Sequence, residues 1–366
     1  MPPESPNDIP LASSSIAKDM PCHSPHSFSW RRVTLTISAL LGVLLLLIVY
    51  MELSGFSPFK PGQQIDGNLL LAQGSTNRNG PAFDLTNTTI HRNQILGGGP
   101  PKDGIPALTN ARFLATKEAS FMQAADRVIG VIVAGEARAY PLKILNYHEI
   151  VNDRVGKVPV AVTYCPLCDS AAVFDRRTPV GEREFGVSGL LYNSNVLMYD
   201  RDKKTESLWS QILASGVSGP GAEKELDSLP LELVTWGEWS QKHPMTLVLS
   251  HDTGHPRDYT RSPYSGYFQS PALMFPAQPT SDRLPAKERI LGVWIGDTYR
   301  AYPESAFSED KTKIEDHFAE ERVVIEYNPE TKSLRVAEAD HGVEWMYSFW
   351  FAWYAMHPET EVFNQN

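Results

Sequence analysis

The stretch RVIGVIVAGEARAYPL, residues 127–142, decides the fold that we expect for this chain. Its apolar residues alternate on both sides of Ala134-Gly135-Glu136, which is the pattern of a β-hairpin with a short turn. The segment LKILNYHEIVND, residues 142–153, predicts a short helix. KVPVAVTY, residues 157–164, is rich in β-branched residues and predicts a strand.

A degenerate copy of this arrangement follows later in the chain. The strand PVAVTYCP has its counterpart in RVVIEYNP, and other residues recur in the same order. The first set is Gly130, Val131, Arg138, Ala139, Tyr140, Pro141, Trp239, His243, Pro244, Thr246 and Val248. The second set is Gly292, Val293, Arg300, Ala301, Tyr302, Pro303, Trp353, His357, Pro358, Thr360 and Val362.

The duplication predicts an α+β, β-rich fold of two degenerate internal repeats, residues 107–285 and 286–366. Only the first repeat holds the CxxC turn, since the second has Asn328-Pro329-Glu330-Thr331 at that place. The first repeat also holds an extra segment, around Phe185 to Gly221, which we expect to wall off a site beside the cysteines.

The residues before the repeats predict a membrane anchor. VTLTISALLGVLLLLIVY, Val33 to Tyr50, has no charge and is long enough for a transmembrane helix. Arg31 and Arg32 precede it, so the positive-inside rule places the N-terminus in the cytoplasm and the globular part outside. We therefore predict a disordered cytoplasmic tail (1–32), a transmembrane anchor (33–51), and a linker with an ordered loop (52–106) in a single-pass membrane protein.

Composition excludes one class of partner. The 366 residues, 42% of them hydrophobic, can bury a substantial core, and the formal net charge is -10. Nucleic-acid binding needs clustered Lys and Arg, and the sequence contains no such stripe. Nucleic acid is therefore not an expected partner.

Two of the three cysteines carry the main functional prediction. Cys22 falls in the predicted tail, whereas Cys165 and Cys168 form a CxxC directly after a strand. A disulfide at that spacing closes almost no loop and adds little stability, so the pair needs a chemical role. Two such sulfurs can cycle between dithiol and disulfide or hold one soft metal, copper or zinc, and we expect them to be accessible.

Other side chains are candidates for the same site. His148 is the candidate base or third metal ligand, and Glu149 is a candidate proton relay. His251 and His255 could complete a metal site if their loop folds back on the cysteines. The pocket around the turn is predicted to include Tyr164, Asp169, Ser188, Tyr192, Asn193, Asp258 and Tyr259.

Several motifs of other enzyme classes are absent from the sequence. It contains no phosphate loop, no dinucleotide fingerprint and no CxxCH for covalent haem. HExxH is also absent, and GVSGL has the serine of a nucleophile elbow without its pattern.

Long motifs resemble an uncharacterised family of exported, membrane-anchored bacterial and archaeal proteins, a domain of unknown function with a TYCPLC signature. The resemblance covers nearly all of the chain from about Ile95 to Val362. The motifs that carry it are ILGGGPPKDGIPAL, AYPLKILNYHEIVND, VTYCPLCDSAAVFDR, FGVSGLLYNSNVLMYDR, LWSQ and TGHPRDY.

Some members of that family carry selenocysteine in the CPLC turn, which implies a nucleophile or redox centre there. If the second cysteine is the replaced position, the resemblance implies that Cys168 attacks and Cys165 resolves. Asp169 stands where the family commonly has glycine, and its charge could raise the pKa of Cys168.

Three functions stay open at this point. The first is an extracytoplasmic thiol-disulfide oxidoreductase with an unknown redox partner or small-molecule substrate. The second is a copper or zinc binding protein that uses Cys165, Cys168 and His148. The third is a non-catalytic envelope scaffold whose cysteines pin a turn.

Overall fold

The computed structural model describes residues 83–202 and 204–364, which form a β-rich structure. Within these residues the chain has 23 strands, four short α-helices and four 3₁₀ turns. The first strands are β1 (Ile95–Gly97), β2 (Leu108–Thr109), β3 (Phe113–Ala115), β4 (Arg127–Val133), β5 (Glu136–Pro141), β6 (Ile150–Val155), β7 (Val158–Cys165) and β8 (Ser170–Asp175). Next come β9 (Arg177–Thr178), β10 (Gly181–Glu182), β11 (Phe185–Tyr192), β12 (Asn195–Asp200), β13 (Leu208–Ser210), β14 (Ser215–Ser218), β15 (Leu231–Thr235) and β16 (Leu247–Leu249).

The remaining elements complete the described chain. The last strands are β17 (Arg289–Ile295), β18 (Thr298–Pro303), β19 (Lys313–Phe318), β20 (Glu321–Asn328), β21 (Ser333–Ala339), β22 (Glu344–Phe349) and β23 (Glu361–Val362). The helices are α1 (Leu142–His148), α2 (Trp236–Lys242), α3 (Ser265–Gln269) and α4 (Trp350–Met356), and the 3₁₀ turns are Arg92–Gln94, Thr116–Glu118, Gly219–Gly221 and Glu304–Ala306.

The hairpin predicted at residues 127–142 forms as β4 and β5. Val133 pairs with Glu136, and the two residues between them, Ala134 and Gly135, have φ angles of 51° and 81°. Two positive φ angles define the turn that fits the twist of a two-residue hairpin. The helix that follows is shorter than the predicted segment, because Glu149 has a φ of 56° and the chain continues as strand β6.

Two four-strand arrangements have the same topology. The order β15-β4-β5-β16 occurs in one sheet, which β3 extends, and the order β22-β17-β18-β23 occurs in another. In each, the first two pairs are antiparallel and the last is parallel. Gly130 pairs with Ala139 in the first arrangement, and Gly292 pairs with Ala301 in the second.

The helices α2 and α4 cover these arrangements in matching ways. The indole nitrogen of Trp239 donates a hydrogen bond to Thr246 Oγ1, and that of Trp353 donates to Thr360 Oγ1, both at 2.9 Å. A Cβ at Gly130 would lie only 2.3 Å from the Trp239 ring. Glycine is therefore required where each indole packs on its hairpin.

Two three-stranded meanders, β6-β7-β8 and β19-β20-β21, also match. β7 ends at Cys165 and β8 begins at Ser170, while β20 ends at Asn328 and β21 begins at Ser333. The Asn328 amide donates to Glu238, at the start of α2, at 2.7 Å. The turn of the second meander is thus a packing element in place of the cysteine pair.

The cysteine turn lies where the two units meet. Strand β8 pairs with β22 at Ala171 and Tyr347, which joins both units in one eight-stranded sheet. The backbone N–H of Phe349, just before α4, donates to the carbonyl oxygen of Cys168 at 2.7 Å. The extra segment of the first unit forms β11 to β14, which build a five-stranded sheet with β1.

The predicted fold class requires one correction. It included an N-terminal transmembrane helix, but no helix in residues 83–202 and 204–364 is long and apolar enough to cross a bilayer. The predicted tail and anchor, residues 1–51, lie outside the described residues, as does most of the linker. The described residues thus form a β-rich fold.

Candidate active site at the Cys165 to Cys168 turn

A tight turn holds the two cysteines. Cys165 ends β7 and pairs with Ser170, and the Cys168 N–H donates to the Cys165 carbonyl oxygen at 3.1 Å. This bond closes a β-turn, whose first and fourth Cα atoms lie within about 7 Å of each other. That separation suits a disulfide, and in this structure both cysteines are free thiols.

Both thiols are buried rather than accessible, which corrects the expectation from the sequence. Cys165 is 1% exposed and Cys168 is 0% exposed. The reason is the extra segment, which covers the turn. The Ser194 carbonyl oxygen, between β11 and β12, accepts a hydrogen bond from the Cys168 thiol at 3.4 Å and lies 3.9 Å from the Cys165 sulfur.

The two thiols have opposite pKa shifts. Burial raises the pKa of Cys165, but hydrogen bonds from the Cys168 side chain and the Val196 backbone N–H outweigh it, so that this pKa lies below the ordinary value. Burial raises the pKa of Cys168, and its bond to Cys165 and the Cys165 charge raise it further. Cys165 is therefore the better nucleophile of the pair.

Glu149 lies beside Cys165 and has an unusual environment. Its backbone is held by bonds from its N–H to the Leu145 carbonyl and from the Tyr164 N–H to its own carbonyl, both at 2.8 Å. Among the described residues, no hydrogen bond or ion pair reaches its carboxyl group. Burial, and then the charge of Cys165, raise the pKa of Glu149 well above its ordinary value. A buried carboxyl group with a raised pKa beside a thiol is a candidate for proton transfer at the site.

A cavity of about 330 Å³ opens onto Glu149. Leu167 contributes to its wall from the cysteine turn, and Val196 contributes from the extra segment. Its lining is mainly apolar and includes Ile105, Val187, Leu190, Leu191, Met274 and Phe275. The size and lining are typical of a small-molecule site.

The polar groups of the cavity come from three segments. The amide oxygen of Asn146 is buried and has no hydrogen-bond partner in the part of the chain that the structure describes. Tyr264 lies close enough to Glu149 and Cys165 for their charges to raise its pKa, after the larger effect of burial. Arg257 also lines the cavity and is exposed. These groups could orient a polar substituent of a bound molecule.

A buried polar network supports the turn from below. Gln211 donates to Thr163 Oγ1 at 2.9 Å and accepts from the Ser170 hydroxyl at 2.6 Å. Asn195 donates to Ser170 and to Gln211, at 3.1 and 2.9 Å. Since every member is hydrogen-bonded, the network fixes the start of β8 and the turn before it.

His148 does not contact the sulfur atoms, contrary to its predicted role as base. Nδ1 lies 2.7 Å from the Pro106 carbonyl oxygen, and Nε2 lies 2.6 Å from the Tyr259 hydroxyl. Burial lowers the pKa of His148 to about 4, so the ring is neutral at pH 7. Glu149, the next residue, occupies the position that was predicted for the histidine.

Two of the predicted pocket residues face the other side of the turn. The Tyr164 hydroxyl donates to Asp169 at 2.7 Å, and Arg127 and Arg289 each donate to the same carboxylate at 2.8 Å. These ion pairs lower the pKa of Asp169 despite its burial. Asp169 also has a φ of 44°, a backbone conformation that glycine adopts without strain.

The remaining predicted pocket residues make other contacts. The Ser188 hydroxyl donates to the Leu197 carbonyl, and the Asn193 amide donates to the Ala355 carbonyl. Tyr192 packs beside a separate apolar cluster, and Asp258 is exposed and accepts from Thr260. The prediction for Ser188 was wrong because its neighbours in the strand, Val187 and Gly189, line the cavity and Ser188 does not.

The metal alternative lacks a ligand set. Among residues 83–202 and 204–364, no group of three or more His, Cys, Asp or Glu side chains is arranged to hold a metal ion. His148 and His255 lie near each other, with ring centroids 5.2 Å apart, but His148 uses both nitrogens elsewhere. His251 instead packs against Phe121.

Sequence reasoning missed Asn146, Arg257, Tyr264 and Gln211 as individual site residues. All four lie in three segments that were considered, NYHE, TGHPRDYTRSPY and LWSQ. No local pattern distinguishes them from their neighbours, since their roles depend on contacts between distant segments.

Comparison with known proteins supports the expected kind of family. No curated protein and no solved structure matches the chain. A family model described as "Protein of unknown function (DUF3179)" matches residues 102–346, which is most of the chain. The chain therefore belongs to the DUF3179 family of proteins of unknown function.

Proposed function

We propose that this protein is a thiol-disulfide oxidoreductase, in which Cys165 is the nucleophile, Cys168 the resolving thiol and Glu149 the proton acceptor. The observation that carries the proposal is the carboxyl group of Glu149. It is buried beside Cys165, lacks a hydrogen-bond or ion-pair partner among the described residues, and lines an apolar cavity.

The proposed reaction balances without another reactant. The Cys165 thiolate attacks one sulfur of a substrate disulfide, which forms a mixed disulfide and releases the other sulfur as a thiolate. Glu149 takes the proton of the Cys168 thiol, and the Cys168 sulfur then attacks Cys165. The second substrate sulfur leaves and takes up the proton that Glu149 holds, so that the substrate is reduced to one thiolate and one thiol and the protein holds a Cys165–Cys168 disulfide.

These roles reverse the assignment that the family resemblance implied. The thiolate at Cys165 is stabilised by the Cys168 thiol and the Val196 N–H, whereas burial and the Cys165 charge raise the pKa of Cys168, so Cys168 keeps its proton. Relatives with selenocysteine in this turn support redox chemistry at the pair, whichever sulfur attacks.

The volume and the mainly apolar lining of the cavity favour a small apolar substrate. Because both sulfurs are buried and neither lines the cavity, the proposed reaction requires that the cavity wall moves to expose them. Leu167, which lies between the two cysteines in the chain, is part of that wall, and its carbonyl oxygen accepts from the Tyr267 hydroxyl at 2.8 Å. The partner that reduces the disulfide again, and a location outside the cytoplasm, remain predictions from the sequence.

The proposal is tested by titrating the full-length protein in glutathione redox buffers and trapping thiols at each potential. We expect a reversible two-electron transition that disappears in Cys165→Ser and in Cys168→Ser. With an aromatic disulfide as probe, Cys168→Ser should accumulate the mixed disulfide, and Cys165→Ser should react far more slowly.

The role of Glu149 has a separate readout. Glu149→Gln should slow disulfide exchange at neutral pH by roughly 10² or more, as expected for loss of a general base. Glu304→Gln, which removes a half-buried carboxyl group outside the cavity, is the matched control and should react at the wild-type rate. If neither thiol of the folded wild type reacts, or if the disulfide resists millimolar thiol, the scaffold alternative replaces the proposal.

A further inference from the structure

A second cavity, of about 60 Å³, lies between the two repeated units on the far side of Asp169. Its walls come from matching positions of both units. Arg127 and Arg289 are the first residues of β4 and β17, and Asp169 and Lys332 each precede the strand that follows the turn of their meander. Both repeats therefore contribute residues to this cavity. At one pair of matching positions the first repeat has an acidic residue, Asp169, and the second has a basic residue, Lys332.

The cations that line this cavity have unused hydrogen-bond donors. Arg127 donates to Asp169 only through Nη1, and Arg289 donates only through Nε. Within the described residues, the other guanidinium nitrogens of both arginines and the Lys332 ammonium group make no hydrogen bond or ion pair. The donors are partly open, since the Arg127 and Arg289 side chains are 30% and 43% exposed.

The charge balance of the lining is positive. Three cationic side chains face two carboxyl groups, those of Asp169 and Glu304. The oxygens of the Asp169 carboxylate already accept hydrogen bonds from Tyr164 and from both arginines. Burial raises the pKa of Glu304, while the charges of Arg289, Lys332 and Arg127 oppose that shift. Even with Glu304 counted as charged, the lining holds one more cation than carboxyl groups.

We propose that this cavity binds a small oxyanion, such as phosphate, sulfate or a carboxylate group. Guanidinium groups match the planar edges of these anions and donate two parallel hydrogen bonds to them. A water molecule needs roughly 10–15 Å³ of such volume, so the cavity has room for an anion of several oxygen atoms. The proposal is independent of the thiol chemistry, since neither sulfur lines this cavity.

The test measures thermal unfolding of the full-length protein in sodium sulfate, sodium phosphate or sodium acetate, each against sodium chloride at the same ionic strength. We expect one of the three oxyanions to raise the unfolding temperature with a saturable dependence on concentration. Calorimetric titration with that anion should give one site per chain, also in a Cys165→Ser, Cys168→Ser double variant.

Variants separate a specific site from general salt effects. Lys332→Gln removes a cation that makes no hydrogen bond or ion pair in the described structure and whose charge acts on Glu304, and it should weaken binding at least tenfold. Lys157→Gln removes an exposed charge in the turn between β6 and β7, outside the lining of the cavity, and should leave binding unchanged. Arg289→Lys keeps the positive charge but loses the planar guanidinium group that can donate two parallel hydrogen bonds to an anion, so it should also weaken binding.

The proposal fails if all three anions stabilise the wild type and Lys332→Gln equally, because sulfate and phosphate also stabilise proteins through exclusion from their surface. It also fails if no titration saturates. Retention of binding in the double cysteine variant distinguishes this site from the proposed redox site.

Discussion

The Tyr259 hydroxyl lies 2.6 Å from Nε2 of His148, and this contact fixes the protonation state of a fully buried histidine. The Pro106 carbonyl oxygen can only accept, so Nδ1 carries the proton and donates to it. Nε2 must then accept from Tyr259. His148 is thus a positioning residue, which anchors the end of α1 next to Glu149.

This arrangement predicts a loss of stability in acid. The pKa of His148 is about 4 in the folded protein and about 6.5 in an unfolded chain, so the unfolded state binds the proton first as the pH falls. The free energy of unfolding should be unaffected above about pH 7 and should decline by about 2–3 kcal/mol between pH 6.5 and 4.5. Urea denaturation at both pH values measures it. His357, with a pKa also lowered to about 4 by burial, adds a similar decline, so His148→Gln should reduce the pH dependence without abolishing it.

The close contact between Gly130, in strand β4, and the Trp239 ring predicts that any larger side chain at position 130 destabilises the protein. A methyl group at Gly130 would meet the Trp239 ring at 2.3 Å, so Gly130→Ala should destabilise the protein by about 2–3 kcal/mol. Gly292→Ala should have a similar effect, because its Cβ would meet Trp353 at 2.6 Å. Gly266→Ala is the control, since nothing lies within 4 Å of its added Cβ. Equal denaturation midpoints for Gly130→Ala and Gly266→Ala would contradict this packing.

The ion pairs of Asp169 predict a large effect of removing its charge. Asp169→Asn should lower the free energy of unfolding by about 2–3 kcal/mol, which is less than for a fully buried pair because both arginines are partly exposed. The pKa of Asp169 is lowered, so this contribution is present at neutral pH and is lost as the pH falls below about 4. Asp258→Asn, at an exposed position, should leave stability nearly unchanged. Equal effects of the two substitutions at pH 7 would argue against the bridge between the units.

The buried hydrogen-bond network next to the cysteine turn predicts that replacing Gln211 lowers the free energy of unfolding. Gln211→Leu keeps the approximate size but leaves Thr163, Ser170 and Asn195 without a common partner, so it should destabilise the protein by about 2–3 kcal/mol. Chemical denaturation measures the effect, and Gln269→Leu, at an exposed position, should stay within roughly 0.5 kcal/mol of the wild type. A stable Gln211→Leu protein would indicate that water replaces the lost contacts.

Features that depend on neighbouring residues could be predicted from the amino-acid pattern alone. Alternation of apolar residues around Ala134-Gly135 predicts the β4–β5 hairpin, and the β-branched run before Cys165 predicts β7 with the turn at its end. The recurrence of Gly130 and Trp239 as Gly292 and Trp353 marks positions that have the same packing in both units. Each of these signals reflects a local period or spacing, which the backbone geometry imposes directly.

Which side chains meet at the site depends on the packing of distant segments and became visible in the three-dimensional structure. Ser188 was predicted to face the cavity, but its neighbours Val187 and Gly189 line it instead, because successive residues of a strand point to opposite faces. Glu149 rather than His148 adjoins Cys165, because a positive φ ends α1 at that residue. Asp169 bridges Arg127 and Arg289, residues 42 and 120 positions away. Such contacts depend on how whole sheets pack, and no pattern along the chain encodes the distance between segments that packing alone brings together.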